Sequence, residues 1–275
     1  MHTGINITEI LGGTKQTRVP IYANINRSLF QGKRSPRDFA LAAEKAVTHG
    51  FSTIKCAPFD EVNDTFDSSN IMDTSKLGLK RVALMRDAIG KNVTLLVDCH
   101  GRCTRDTSIL IAQELCHLNI GWLEEPIPTD NTETLAEIAK QIPIPLAGGE
   151  SGYGMIVFDD LIHTNASHII MPDIKFCGGI VEAYKSGKHA LQSSAQVSLH
   201  NPSGPVSQLA SAHVTAAMTG SAALEYPVGE ADWRTNLIHP PENAHSGFFW
   251  FPDGTGIGAS LNNDLISHHG TTWEI

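Results

Sequence analysis

The stretch Val93-Thr-Leu-Leu-Val-Asp98 is a short apolar run that ends in a carboxylate, and the same pattern recurs along the chain. Gly121-Trp-Leu-Glu124 and Pro145-Leu-Ala-Gly-Gly-Glu150 repeat it, and a segment with helical periodicity separates each run from the next. Continuous apolar strands that alternate with helices are typical of a parallel sheet covered by helices. These runs therefore predict an α/β fold.

The alternation continues in both directions and predicts eight strands with seven helices between them. The strands are expected at 19–23, 52–56, 93–98, 121–124, 145–150, 168–173, 196–200 and 223–226. The helices are expected at 36–49, 76–89, 107–118, 132–140, 155–164, 180–192 and 206–218. Eight strands favour a closed (β/α)8-type barrel over an open doubly wound sheet. The dinucleotide-binding alternative is weakened because no Gly-x-Gly-x-x-Gly follows the first strand.

Composition excludes several functional classes. The chain has 275 residues, a net charge of −9 and a hydrophobic fraction of 41%. No run of Lys or Arg indicates nucleic-acid binding, and no apolar stretch is long enough for a transmembrane helix. The start of the chain does not resemble a signal peptide. Five cysteines without a CxxC pair suit a reduced, cytoplasmic protein.

Three carboxylates follow consecutive predicted strands at equal spacing. Asp98, Glu124 and Glu150 are separated by 26 residues each, which is one strand–helix unit. Carboxyl ends of barrel strands converge on one site, where three carboxylates repel one another unless a cation neutralises them. Oxygen ligands favour a hard cation such as Mg²⁺. The alternative is that each is an ordinary acidic residue at the start of a loop.

Further ionisable residues end the remaining strands. Asp173 and His200 end neighbouring strands, so the carboxylate can orient the imidazole as a general base. His100 lies beside the expected metal site, where it can protonate a leaving group. Lys55 can neutralise a substrate carboxylate, and a protonated Glu225 can donate a hydrogen bond to an enol oxygen. The alternatives are structural histidines and a solvated lysine.

Five motifs resemble the mandelate racemase subgroup of the enolase superfamily, and within it most closely the acid-sugar dehydratases of the galactonate type. They are Val97-Asp-Cys-His-Gly-Arg102, Trp122-Leu-Glu-Glu-Pro126, Ala147-Gly-Gly-Glu150, Pro172-Asp-Ile-Lys-Phe-Cys-Gly-Gly179 and His200-Asn-Pro-Ser-Gly-Pro205. The resemblance extends over roughly residues 11–227. It implies a (β/α)7β TIM-like barrel and a small sugar acid as substrate.

The resemblance also implies a role for each site residue. Mg²⁺ would be held by Asp98, Glu124 and Glu150. The Asp173–His200 dyad would remove the proton α to a carboxylate, and His100 would protonate the departing β-hydroxyl. Lys55 and Glu225 would contact the enediolate oxygens. The expected enzyme is a hydro-lyase that converts a sugar acid to a 2-keto-3-deoxy acid.

The sequence departs from the family pattern at two places. Racemases of the subgroup carry a second lysine where this chain has Ala57, which disfavours two-base racemisation. We also expect that residues 1–275 do not include most of the family's N-terminal α+β capping domain. We expect residues 1–18 to be its remnant or linker, 19–229 to form the barrel, and 230–275 to form a tail that packs on a cap. A truncated sequence, a cap supplied by another polypeptide, and a barrel without catalysis are all compatible with this pattern.

Two other functions stay open at this stage. A racemase, epimerase or cycloisomerase would use the same chemistry, whereas a barrel without a cap could bind an acidic ligand without catalysis. The aromatic tail and the helical outer ring predict a homo-oligomer. Neither nucleic acid nor membrane is expected as a partner.

Overall fold

The computed structural model describes residues 4–29, 34–62, 71–193 and 195–270. All eight predicted strands are present. They are β1 (Arg18–Asn24), β2 (Thr53–Cys56), β3 (Thr94–Asp98), β4 (Ile120–Glu124), β5 (Leu146–Gly148), β6 (Ile169–Ile170), β7 (Gln196–Val197) and β8 (Leu224–Pro227). Each of β1 to β7 pairs in parallel with the next strand, and β8 pairs in parallel with β1. This order confirms the predicted α/β fold.

The seven predicted helices also form, and two further helices lie at the ends of the described chain. They are α1 (Ile7–Ile10), α2 (Pro36–Thr48), α3 (Ile71–Ile89), α4 (Arg105–Leu115), α5 (Thr132–Gln141), α6 (Met155–His163), α7 (Ile180–Gln192), α8 (Pro205–Ala217) and α9 (Asn263–His269). Helices α2 to α8 each follow one strand, so the order from β1 to β8 is (β/α)7β. None of the described helices is long and apolar enough to cross a membrane.

The strands β7 and β8 are linked by two hydrogen bonds instead of a regular ladder. The Ala222 amide donates to the Val197 carbonyl at 2.8 Å, and the Ser198 hydroxyl donates to the Ala223 carbonyl at 2.8 Å. Because β8 also pairs with β1, these bonds bring the last strand between the first and the seventh.

Three strands are shorter than the sequence predicts. β5, β6 and β7 end at Gly148, Ile170 and Val197, so Glu150, Asp173 and His200 lie in the loops that follow. At β6 the reason is Pro172, because proline has no amide hydrogen to donate to a neighbouring strand. The side chains at these positions are therefore carried by loops just beyond the carboxyl ends of the strands.

Two apolar clusters form the core. A small cluster fills the interior of the strand ring with Tyr22, Leu96, Trp122, Ala147, Ile169 and Met171. A larger cluster fills the layer between strands and helices, and it includes Phe39 and Ala43 of α2. Ser35 caps α2, Pro36 occupies its first position, and Gly50 follows it with φ of 87°.

The segment after β8, predicted as a tail without assigned strands, adds four short strands. They are β9 (Ile238–His239), β10 (Asn243–His245), β11 (Phe248–Trp250) and β12 (Ser260–Leu261). β11 pairs antiparallel with the start of β1, and Phe249 is fully buried there. Part of the aromatic tail therefore packs on the strand layer itself. Packing of the tail on a capping domain stays a prediction.

Candidate active site

The eight predicted site residues come together at the carboxyl ends of the strands. Lys55, Asp98, Glu124 and Glu225 lie on β2, β3, β4 and β8, whereas His100, Glu150, Asp173 and His200 lie in the following loops. Contacts of 2.6–3.8 Å connect them in three groups, which centre on Lys55, Asp98 and His200. The strand-end pattern in the sequence therefore located a real cluster.

Lys55 lies fully buried between two carboxylates. Its Nζ is 2.6 Å from Glu124 Oε1 and 2.8 Å from Glu225 Oε1. Burial alone would lower the pKa of Lys55, but Glu124 and Glu225 raise it well above its usual value. The pKa of Glu225 is lowered because Lys55 and His200 outweigh the effect of burial. Glu225 is therefore ionised in this geometry, although its predicted role required a proton.

Glu124 lies where several negative charges meet. Burial and the nearby carboxylates, chiefly Asp98, raise its pKa to about 8, although Lys55 opposes the shift. The Trp122 indole donates a hydrogen bond to Glu124 Oε2 at 2.9 Å. The ionised form of Glu124 therefore needs more positive charge than Lys55 alone supplies.

Asp98 is held by His100. The His100 amide donates to Asp98 Oδ1 at 2.9 Å, and the ring Nε2 lies 2.7 Å from Oδ2. Burial would raise the pKa of Asp98, but these contacts and Lys55 lower it, and the contact with Asp98 raises the pKa of His100. A protonated His100 fits the predicted role of an acid. Its ring is partly exposed, and its backbone φ of 51° turns the loop at this point.

His200 lies between two acidic side chains. Its Nδ1 is 2.9 Å from Asp173 Oδ2, as the dyad prediction requires, and its Nε2 is 3.1 Å from Glu150 Oε2. Burial would lower the pKa of His200, but Glu225, Asp173 and Glu150 raise it to about 9. In this arrangement the imidazole is protonated and would need a less negative surrounding to act as a base.

The donor set fits a divalent cation. Ligand atoms of Glu124, Glu150 and His200 all lie within 4.8 Å of one another. Glu150 Oε2 is buried, and it lies 3.1 Å from His200 Nε2 without accepting a well-aligned hydrogen bond from the described residues. Burial and the charge of Asp98 raise the pKa of Glu150. A buried carboxylate oxygen without a hydrogen bond is costly unless a cation binds it. The residues therefore fit the predicted metal. Asp98, the third predicted ligand, faces His100 in this structure.

Four neighbouring residues that complete the site were missed in the sequence. Asn24 donates to Glu225 Oε1 at 2.6 Å, Trp122 contacts Glu124, and Lys175 lies 3.3 Å from Asp173 Oδ2. Glu125 accepts hydrogen bonds from the amides of Gly149 and Glu150. Asn24 also ends a strand, but it carries no charge and therefore gave no signal. Trp122, Glu125 and Lys175 stand inside the quoted motifs.

Family comparison agrees with this geometry. The family described as "Enolase C-terminal domain-like" matches residues 38–265, which is most of the chain. The chain belongs to this family. A solved mandelate racemase/muconate lactonizing enzyme from Sulfitobacter sp. superposes with a TM-score of 0.87 at 26% identity, covering 100% of this chain and 70% of that one. This likeness agrees with the subgroup that the motifs indicated.

Two curated relatives are sugar-acid dehydratases. The D-xylonate dehydratase of Haloferax volcanii is 30% identical over 188 residues, covering 68% of this chain and 46% of that protein. The D-gluconate/D-galactonate dehydratase of Picrophilus torridus is 27% identical over 266 residues, covering 96% of this chain and 66% of that protein. The chain thus spans about half to two thirds of the length of these two relatives.

Proposed function

We propose that this protein is a Mg²⁺-dependent dehydratase that converts a sugar acid to a 2-keto-3-deoxy acid. The observation that carries the proposal is His200, which Asp173 orients from one side while its Nε2 faces the carboxylates Glu150 and Glu225. A base beside a cation site is what removal of a weakly acidic proton α to a carboxylate requires. The names of both curated relatives support the same class of substrate.

Asp98, Glu124 and Glu150 would hold the metal. When bound, Mg²⁺ supplies positive charge for the negative charge that develops on the substrate carboxylate. Neutralisation of Glu150 would also remove one of the charges that raise the pKa of His200. The pKa of His200 would then be lower, and a larger fraction of the imidazole would be deprotonated at neutral pH, as a general base must be.

The residues of the chain account for the two proton transfers that form an enol, which then tautomerises to the 2-keto-3-deoxy acid by losing its 2-hydroxyl proton and taking a proton at the β-carbon. His200 Nε2 takes the α-proton, while Asp173 stabilises the resulting imidazolium. The electron pair left on the α-carbon forms a double bond to the β-carbon, and the β-hydroxyl leaves. His100 supplies the proton with which this hydroxyl departs as water. The buried charge of Lys55 helps to keep Glu225 ionised beside the reacting atoms, and together with a bound cation it would favour the ionised form of Glu124.

The decisive experiment is an assay of a panel of sugar acids with Mg²⁺ for 2-keto-3-deoxy products. His200→Asn should lower kcat by at least about 100-fold, because loss of a general base costs roughly 10²–10⁴-fold. EDTA should abolish turnover. His117→Asn is the matched control, because His117 is exposed in the short helix after α4. The activity of this variant should equal that of the unchanged protein.

The same assay separates the alternatives when it is run in deuterium oxide. Exchange of the α-proton without loss of water would favour a racemase, epimerase or cycloisomerase. Full dehydration by His200→Asn would contradict the assignment of the base. Neither turnover nor exchange with any substrate, in a protein that includes a covering domain, would favour a non-catalytic barrel.

A covering domain, in this protein or supplied by another polypeptide, is part of the proposal. Tyr153 and Phe176 follow β5 and β6 at the rim of the site, and they are 74% and 50% exposed. Large apolar side chains exposed beside a polar site are typical of a surface that another part of a protein covers. Assembly into a homo-oligomer stays a prediction.

A further inference from the structure

A second group of potential metal ligands lies on the outer helical layer. Asp159 and His163 are on α6, and His189 is on the neighbouring helix α7. Asp159 Oδ1 is 2.6 Å from His189 Nε2 and 3.1 Å from His163 Nδ1. One carboxylate oxygen therefore lies between two imidazoles that belong to different helices.

The helix geometry explains why these side chains meet. Residues four apart lie on the same face of a helix, so Asp159 and His163 point in a common direction. His189 enters from α7, which packs against α6. One ligand atom from each residue lies within 4.8 Å of the other two. The three side chains are therefore close enough for side-chain rotation to present all of them to one ion.

The chemistry of the donors selects the type of ion. Two imidazole nitrogens and one carboxylate oxygen suit Zn²⁺ and related transition metals, whereas Mg²⁺ and Ca²⁺ prefer oxygen ligands throughout. Neighbouring ligand atoms around tetrahedral zinc lie about 3.3 Å apart, given bonds of about 2.0–2.2 Å. The two distances from Asp159 Oδ1, 2.6 and 3.1 Å, include the hydrogen bond to His189 Nε2, which a bound ion would replace at a slightly wider spacing.

We propose that Asp159, His163 and His189 bind a divalent transition-metal ion of the zinc type, separate from the Mg²⁺ site. The three protein ligands leave a fourth position for water. That position is accessible, because Asp159 and His163 line an open cleft of about 910 Å³ beside Tyr153 and Ile156. Coordination at His163 Nδ1 replaces a 2.9 Å contact with the Asp159 carbonyl. The bound ion joins α6 to α7.

The control for this site is His49 at the end of α2. Its Nδ1 lies 2.7 Å from the Lys45 carbonyl four residues earlier, which is the same helix-end contact that His163 makes. Among the described residues, His49 belongs to no group of three potential ligands. A change at His49 therefore reproduces the loss of a helix-end histidine without removing the proposed metal ligand.

Titration of the protein with Zn²⁺ in excess Mg²⁺, followed by calorimetry, tests the proposal. His163→Gln and His189→Gln should each weaken this zinc binding at least about tenfold, since loss of one ligand of three removes a coordinate bond. His49→Gln should bind as the unchanged protein does. Wild-type affinity in either His163→Gln or His189→Gln would overturn the proposal.

A spectroscopic readout is independent of affinity. Co²⁺ in a four-coordinate site absorbs visible light far more strongly than Co²⁺ in a six-coordinate oxygen site. The strong absorption should appear in the unchanged protein and in His49→Gln, and should be absent in Asp159→Asn, which keeps the shape of the side chain but lacks its charge. An equally strong spectrum in Asp159→Asn would also overturn the proposal.

Discussion

Two groups of charged side chains in this protein use similar donors in opposite environments. Lys55, Glu124 and Glu225 are completely buried at the carboxyl ends of the strands. Asp159, His163 and His189 lie on the helical surface, with side chains 45%, 68% and 31% exposed. In the first group each charge is stabilised by the opposite charges beside it, because no water solvates the side chains. In the second group water reaches each side chain, so the contacts contribute little to folding but stay available to a ligand.

The buried group should show the largest effect on stability. Lys55→Met leaves Glu124 and Glu225 without their cation, and we expect the free energy of unfolding to fall by about 3–5 kcal/mol. Urea denaturation measures the change. The control Lys76→Met removes an exposed pair with Asp73 and should change stability by less than about 1 kcal/mol. Equal effects of the two substitutions would break the contrast between buried and exposed charges.

Arg234 and Glu242 form an intermediate case near the C-terminal tail. Glu242 Oε1 lies 3.2 Å from Arg234 Nη2, and burial raises the pKa of Glu242 to about 7 against the effect of Arg234. Because the pKa of Glu242 is higher in the folded protein than in the unfolded chain, protonation of Glu242 stabilises the folded protein. This contribution is complete below the pKa of the unfolded chain, about 4.3, and is lost as the pH rises through about 7. Glu230 also faces Arg234, at 3.4 Å.

The pH dependence of unfolding tests this sign. Between about pH 5 and pH 8, the protein should lose up to about 3 kcal/mol of stability relative to Glu242→Gln, whose amide does not titrate. Thermal or urea unfolding across that range measures the difference. A parallel pH profile for the two proteins would show that Glu242 has an ordinary pKa and that its burial has no electrostatic cost.

The exposed group should show the smallest effect. Without added metal, Asp159→Asn should change the free energy of unfolding by less than about 1 kcal/mol, because its partners are solvated. Urea denaturation in the presence of EDTA measures it. A loss as large as that of Lys55→Met would mean that the Asp159 contacts are structural, and the distinction between the two groups would then fail.

The predictable part of the site followed from the strands. The carboxyl ends of parallel strands converge on one edge of the sheet, so Lys55, Asp98 and Glu124 could be placed near one another from the apolar runs that precede them. Glu150 and His200 were predicted at strand ends but lie in loops, because β5 and β7 stop earlier than the apolar pattern suggests. Glu150 and His200 still lie in the predicted cluster, because two or three loop residues keep each side chain close to the end of its strand.

Contacts that depend on chain segments distant in sequence were not predictable. Asn24 reaches Glu225 across 201 residues, and Phe249 pairs with Val19 through an antiparallel strand that no local pattern marked. His189 meets Asp159 from a separate helix 30 residues further along. No periodic pattern in the sequence connects the two members of any of these pairs. Each contact depends on how two elements are oriented once they pack.

The sequence by itself determined the order of strands and helices, the parallel sheet and the identity of the charged side chains at its carboxyl edge. These features follow from local apolar periodicity and from the two-residue alternation of a strand. Only the tertiary structure decided which charges pair. It buried Lys55 between two carboxylates, turned Asp98 towards His100 and joined three ligands on α6 and α7. Those pairings depend on distances of a few ångströms between packed elements, and burial determines how strongly each charge depends on its neighbour.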